Sequence, residues 1–243
     1  MSELRNATVS DIPAMLEVFF HAIEDLDTRR GQALQPRNAA PLEMHFGHLL
    51  ATDPNSCFVA DDQGRVVAFG IVMRRGEVAF LSFLFVEPAW QGHRLGRAVL
   101  DACIRGAGAG VTRVSTCAEA NQPISTGLYA KLGIAPLAPI YLLRGSLPEQ
   151  ALPDLPIDVE RRRVTAEAVA AFDRDLVGYE RPQDHAFWAR DRDGVVFLDA
   201  QGKVLGYGYA HRSGRIGPVA AVDPAYLPGF IGYLERATQV VDH

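Results

Sequence analysis

The sequence predicts an α/β (α+β) fold: a mixed, mostly antiparallel sheet with flanking helices, followed by a partial second domain of the same kind. Three observations predict it. Between Cys57 and Val86, three strand-like runs are joined by the turn signals Asp62-Gln63-Gly64 and Arg75-Gly76. Beyond Val86, helix and strand periods alternate. Later in the chain, the hairpin block returns in recognisable form.

Leu4 to Ala7 reads as a short first strand. Ser10 stands where a cap is needed for a helix in which Ile12, Met15, Leu16, Phe19 and Ile23 recur at helical spacing. A polar, proline-containing stretch from Asp27 to Pro41 leads to a second helix around Leu42 to Leu50. Strands follow at Cys57 to Ala60, Val66 to Met73 and Val78 to Val86, the last stopped by Pro88. A helix from about Arg94 to Arg105 sets Leu95, Ala98, Val99, Ala102 and Cys103 on one face. Gly106-Ala107-Gly108-Ala109-Gly110 ends that helix and precedes a strand, so it reads as a C-cap and turn and not as a nucleotide fingerprint. Val111 to Cys117 is then a strand, Ile124 to Leu132 a helix and Pro139 to Leu143 a last strand.

Gln63-Gly64-Arg65-Val66-Val67-Ala68-Phe69-Gly70 returns as Gln201-Gly202-Lys203-Val204-Leu205-Gly206-Tyr207-Gly208. Val86-Glu87-Pro88-Ala89-Trp90 returns as Val222-Asp223-Pro224-Ala225-Tyr226. The offsets are 138 and 136 residues and the element order around both blocks is the same, which is the signature of a duplicated domain. The proline-rich stretch Ser146 to Ile157 separates the copies, giving a domain at 1–145, a linker at 146–157 and a partial second domain at 158–243.

Composition narrows the function. Of 243 residues, 48% are hydrophobic and 22% charged, which fits a folded globular chain. The net charge of −5, with scattered arginines, argues against nucleic acid as a partner. The start lacks the apolar core of a signal peptide and no apolar run reaches membrane-spanning length, so a cytoplasmic protein with no membrane partner is expected. Cys57, Cys103 and Cys117 lack metal-ligand spacing; buried free thiols and no metal are expected.

The stretch Gln91-Gly92-His93-Arg94-Leu95-Gly96-Arg97 lies where a buried strand hands over to a helix. Unpaired amides and the helix dipole favour an anion there. Glycines let an extended phosphate approach the backbone, and Arg94 and Arg97 add charge from the rim. A diphosphate is the ligand this arrangement suits. The spacing is neither G-x-G-x-x-G nor G-x-x-x-x-G-K-[ST].

This loop resembles the acyl-CoA loop of the GNAT N-acetyltransferases, written Q/R-x-x-G-x-G/A, with Val86-x-Pro88 at the expected distance before it. A second family block, N-x-x-A-x-x-L-Y-x-x-x-G-F, is similar to Asn121-Gln122-Pro123-Ile124-Ser125 followed by Leu128-Tyr129-Ala130-Lys131-Leu132-Gly133. The resemblance covers about residues 3 to 143. It departs at Arg94, where the family pattern has glycine; if that position needs a left-handed bend, the loop is expected to bend differently here.

The resemblance implies a splayed strand pair, between Val86 and the strand ending near Cys117, that receives the arm of acetyl-CoA. It implies that backbone at Leu84, Phe85 and Val86 pairs with that arm, with the Val86 amide on the thioester carbonyl. Gln91 to Arg97, Asn121 and Ser125 are further cofactor contacts by the same resemblance. Tyr129 is the expected proton donor to the leaving thiolate. The base stays open among Glu77, Glu87, Glu119, His45 and water. The resemblance is to two-copy members with one active half.

In the second copy, Leu227-Pro228-Gly229-Phe230-Ile231-Gly232 replace the loop and Pro228 removes an amide donor, so this half is expected not to catalyse. Tyr179, Arg181, Trp188, Arg212 and Tyr226 remain available for substrate contact. The function implied is transfer of an acyl group from acetyl-CoA to a small-molecule primary amine. A silent acyl-CoA-binding module and a protein N-acetyltransferase are the alternatives. Oligomeric state stays open, a homodimer included.

Overall fold

The computed structural model describes residues 2–120, 122–140, 154–156 and 158–239. The chain divides into two compact units, Met1–Tyr141 and Leu142–His243.

The first unit holds β1 (Glu3–Asn6), α1 (Ile12–Arg29), α2 (Ala39–Thr52), β2 (Cys57–Asp62), β3 (Arg65–Arg75), β4 (Val78–Val86), α3 (Leu95–Gly106), β5 (Arg113–Thr116) and α4 (Pro123–Ala130). Its sheet runs in the order β1-β2-β3-β4-β5, antiparallel except for the parallel pair β4–β5. Hydrophobic layers cover both faces. On one face Met15, Leu16 and Val18 of α1 and Phe46 and Leu49 of α2 meet Val59, Phe69 and Ile71. On the other, Val99, Leu100 and Cys103 of α3 and Tyr129 of α4 meet Val67, Val72 and Leu81.

Gly70 shows why α3 lies so close to the sheet. A Cβ there would stand 2.8 Å from Val99 Cγ1 and 2.9 Å from Cys103 Sγ. Its repeat partner Gly208 would meet Leu234 Cδ1 at 2.4 Å, so both copies keep glycine where a helix presses on the central strand.

The second unit repeats the plan with β6 (Glu160–Arg163), α5 (Ala166–Val177), α6 (Pro182–Trp188), β7 (Arg192–Leu198), β8 (Val204–His211), β9 (Ile216–Ala221) and α7 (Leu227–Gln239). Its four strands run β6-β7-β8-β9, all antiparallel. Where β3 carries Phe69, β8 carries Tyr207, and a polar network surrounds it. The fully buried Asp173 accepts from His185 Nε2 (2.7 Å), Arg181 Nε (3.1 Å) and the Tyr207 hydroxyl (2.8 Å). Such a buried charge is tolerable because each oxygen has donors.

Several expectations change. Ser10 is not the cap: Thr8 opens the helical segment, with its backbone N and its hydroxyl each 2.8 Å from Asp11 Oδ2, and Ser10 only touches Thr8. An aspartate three residues on satisfies a free amide better than a hydroxyl inside the first turn. Helix α1 continues through the polar residues to Arg29, held by pairs such as Arg29–Asp25. Cys117 is exposed, not buried, because it lies beyond the end of β5. Pro139 and Ile140 are in no strand, and Tyr141 to Leu143 of that expected strand lie outside the described residues, as do 146–153 and 157 of the expected linker. Among the described residues, no helix is long and apolar enough to cross a membrane.

Candidate active site

β4 and β5 pair only from Val78↔Arg113 to Leu81↔Thr116. Beyond Leu81 no further pair forms among the described residues, and the strands part. At the parting point β4 bulges: Leu81 faces Val72 and Phe83 faces Ile71, leaving Ser82 as the extra residue. The bulge reverses the alternation of side chains. Ala79 and Leu81 belong to the α3 layer, as do Leu84 and Val86, whereas Phe83 and Phe85 turn to the α1–α2 layer.

The free edge of β4 follows from its hydrogen bonding. The Glu87 amide donates to the Val67 carbonyl at 2.9 Å, so Phe85 and Phe83, at alternate positions, also face β3. Leu84 and Val86 therefore turn their backbone groups toward the opening. The Val86 carbonyl accepts from Gln91 Nε2 at 3.1 Å, leaving its amide exposed to the gap. Of the three strand residues expected to meet an acyl arm, two face the opening and Phe85 faces away by backbone and side chain.

After Val86 the chain makes a 3-10 turn at Pro88–Trp90 and then two left-handed residues, Gly92 (φ 83°) and Arg94 (φ 62°). Arg94 is the N-cap of α3, and the first helical bond is Ala98 N to Arg94 O at 3.1 Å. Among the described residues, the amides of Gly92 through Arg97 have no backbone acceptor. The expectation that Arg94 forces a different bend is corrected. The left-handed turn is present with arginine in it, at a cost of roughly 1–2 kcal/mol for a residue with a Cβ.

The loop's side chains divide the work differently from the sequence reading. Gln91 braces the loop: besides holding Val86, its Oε1 accepts from Arg29 at 3.3 Å. Arg97 is drawn to Asp101, with Nε 2.8 and 2.9 Å from the two carboxylate oxygens. His93 and Arg94 are exposed. Leu95 and Gly96 form the first turn of α3. Ser125 Oγ donates to the Gln122 carbonyl at 3.2 Å, inside the start of α4, and Asn121 lies outside the described residues.

Tyr129 is buried in the α3 layer, and its phenol is influenced by Thr116, the last residue of β5. Thr116 Oγ1 donates to the Leu81 carbonyl at 3.0 Å, where the strands part. Burial pushes the phenol's pKa up, and the Thr116 side chain opposes that rise. Sequence reasoning missed Thr116; the one signal was its place at the end of a strand.

The base candidates separate by position. Glu77 accepts from Thr112 at the closed end of the β4–β5 pair, away from the opening. Glu87 is buried and bound to His21 Nδ1 at 2.9 Å, with Arg65 at 3.5 Å. Glu119 is exposed, 3.5 Å from Arg30. The His45 ring stands edge-on to Phe83, 5.5 Å between centroids. In the second unit, Arg181 lies over Trp188 at 5.2 Å and is tied to Asp173, so both residues are engaged within that unit.

The strand pair that parts beyond Leu81, followed by a loop at the start of a helix, is the arrangement the sequence resemblance implies. The model of the acetyltransferase (GNAT) family matches residues 20–134. Residues 20–134 are a GNAT acetyltransferase domain. Its class of chemistry is acyl transfer, and the mixed α/β sheet is that of the family. Among solved structures, a Pyrococcus horikoshii protein provisionally named an acetyltransferase is 20% identical, covering 98% of this chain and 76% of its own, with a TM-score of 0.69. That likeness spans both units and is one of fold.

Partial likenesses include the PaiA N-acetyltransferase of Thermoplasma acidophilum in complex with coenzyme A (12% identity, 54% of this chain and 88% of that one, TM-score 0.46). Another is the aminoglycoside N-acetyltransferase AAC(6')-Iy in complex with CoA (14%, 60% and 96%, 0.47). No curated protein matches the chain significantly in sequence.

Proposed function

We propose that this GNAT chain transfers the acetyl group of acetyl-CoA to a primary amine of a small molecule by direct attack in a ternary complex. The observation that carries the reading is the opened edge of β4, whose Leu84 and Val86 pack in the same layer as Tyr129. The free amides of Gly92 to Arg97 suit the linked phosphates of coenzyme A: each hydrogen bond to a charged oxygen nets about 1.5–3 kcal/mol, so a handful supports micromolar binding.

The thioester, when bound, supplies the activated acyl carbon. The Val86 amide donates to its carbonyl oxygen as negative charge gathers there. As the amine's C–N bond forms and the C–S bond breaks, the proton of the new ammonium leaves to water and the Tyr129 hydroxyl serves the departing sulfur. A phenol raised above its usual value near 10 is fully protonated at neutral pH, whereas a thiol titrates near 8.5. Complete proton transfer is therefore uphill by roughly 2 kcal/mol or more, so the main contribution is a hydrogen bond to developing thiolate charge. The released thiolate takes its proton from solvent, and Tyr129 keeps its own.

The domains are assigned as 1–145 for catalysis and 158–243 for a non-catalytic partner unit, whose loop counterpart carries Pro228 in place of an amide donor. The compartment assigned is the reducing cytoplasm, consistent with three free cysteines. Thiol release on mixing the full chain with acetyl-CoA and a panel of amines tests the reading. Acetyl-CoA binding by calorimetry without thiol release for any amine or peptide would make the chain a silent binding module; release with peptides alone would make it a protein acetyltransferase.

A further inference from the structure

We infer that the acceptor carries its amine on an aromatic or bulky apolar group, seated against Phe83 and His45, an inference that rests on the transferase reading above. The bulge at Ser82 turns Phe83 onto the α1–α2 face at the level where β4 leaves β5. Phe83 is half-buried. The His45 ring meets it at 78° and 5.5 Å, and the Phe46 ring backs it at 4.8 Å. Beside it, Phe85 is closed off by Phe19, 4.7 Å away and edge-on. On the segment that connects α1 to α2 and on α2 itself, Leu34 and Met44 are exposed apolar residues, at 56% and 48%.

Charge argues in the same direction. A polyamine or an aminosugar is recognised by carboxylates free to receive several ammonium groups. Here Glu17 and Glu24 both hold Arg37, at 3.0 and 2.6 Å, and Asp25 holds Arg29. Glu87, at the end of β4, holds His21. A polycation would have to displace a cation of the chain itself from each of these, although Glu43 of α2 is exposed with no ion pair among the described residues. An aryl or alkyl monoamine needs none of these carboxylates, and edge-to-face contact with Phe83 and His45 orients its ring.

The test is thiol release by the full chain with acetyl-CoA and either 2-phenylethylamine, butylamine or putrescine. The expected kcat/KM for 2-phenylethylamine exceeds that for putrescine by about tenfold or more. Phe83→Ala collapses that ratio by at least about tenfold, and Phe83→Tyr, which keeps the ring, retains most of it. Acetyl-CoA binding, measured calorimetrically on each variant, reports separately on the transferase reading. A preference for putrescine, or equal losses for all three amines in Phe83→Ala with acetyl-CoA binding intact, overturns the acceptor inference alone. Absence of acetyl-CoA binding by the unaltered chain overturns both.

Discussion

Thr116 donates to the Leu81 carbonyl at the last paired position of β4 and β5, and its side chain bears on the phenol of Tyr129, near the end of α4. A core tyrosine thereby reaches the point where the sheet opens. Tyr129→Phe keeps the ring's packing and removes only the hydroxyl. Turnover should fall by at least about tenfold, or about 1.4 kcal/mol of barrier, with acetyl-CoA binding little changed. Turnover equal to the unaltered chain would remove Tyr129 from the mechanism.

The pH profile follows from the same pair. Burial raises the Tyr129 pKa, so the phenol stays protonated up to and beyond its ordinary value. The rate should climb as the amine loses its proton and show no loss from Tyr129 below about pH 10. Thr116→Val deletes the contact that holds the phenol down, so any alkaline limb should move to higher pH. A limb that moves lower would contradict this assignment.

Arg94 offers a test of the loop. At φ 62°, a β-branched side chain is strained further, whereas glycine relaxes. Arg94→Gly should exceed Arg94→Val in stability by about 1–2 kcal/mol in urea unfolding. Equal stabilities would mean that the turn is not left-handed in solution.

Arg75 and Asp53 form a buried pair, Nη1 to Oδ2 at 2.9 Å, with side chains 2% and 5% exposed. Arg75→Met leaves the carboxylate buried with, among the described residues, the Arg74 amide and the Thr52 hydroxyl as partners. The expected cost is about 3–5 kcal/mol by denaturant unfolding at neutral pH. A loss under 1 kcal/mol, as at a surface pair, would show that water reaches Asp53.

Asp11 predicts acid sensitivity. Its hydrogen bonds from Arg5 lower the carboxyl's pKa to about 2, against burial that works the other way. A depressed pKa means stability present above the unfolded value near 4 and lost as pH falls through 2. Discounted for the partly exposed Arg5, the contribution is about 1–2 kcal/mol. Asp11→Asn should flatten the stability curve between about pH 4 and 2, measured by urea midpoints. An unchanged slope would assign the acid loss to other groups.

Much of the fold was legible because local rules and the global fold agree. The β4 expectation matches the observed strand, since an apolar run ended by Pro88 leaves little choice. The repeat was visible for a packing reason: Gly70 and Gly208 each admit a helix against the central strand. The end of α1 was misread because Asp27, Thr28 and Arg29 look like loop residues, although a charged helix face has the same composition. Gln91 was legible as a loop residue, but its partners Val86 and Arg29 are set by folding.

The amino-acid order alone determined which elements form, that they recur, and that a glycine-bearing turn precedes α3, because propensity, periodicity and turn chemistry act over a few residues. Tertiary structure decided which backbone groups face the gap, since one extra residue at Ser82 reverses every later side chain of β4 relative to its start. It also decided that Tyr129 meets Thr116 and that Arg94 keeps a glycine-like bend. Those are relations between segments distant in the chain, and only burial and hydrogen bonding across the folded sheet bring them together.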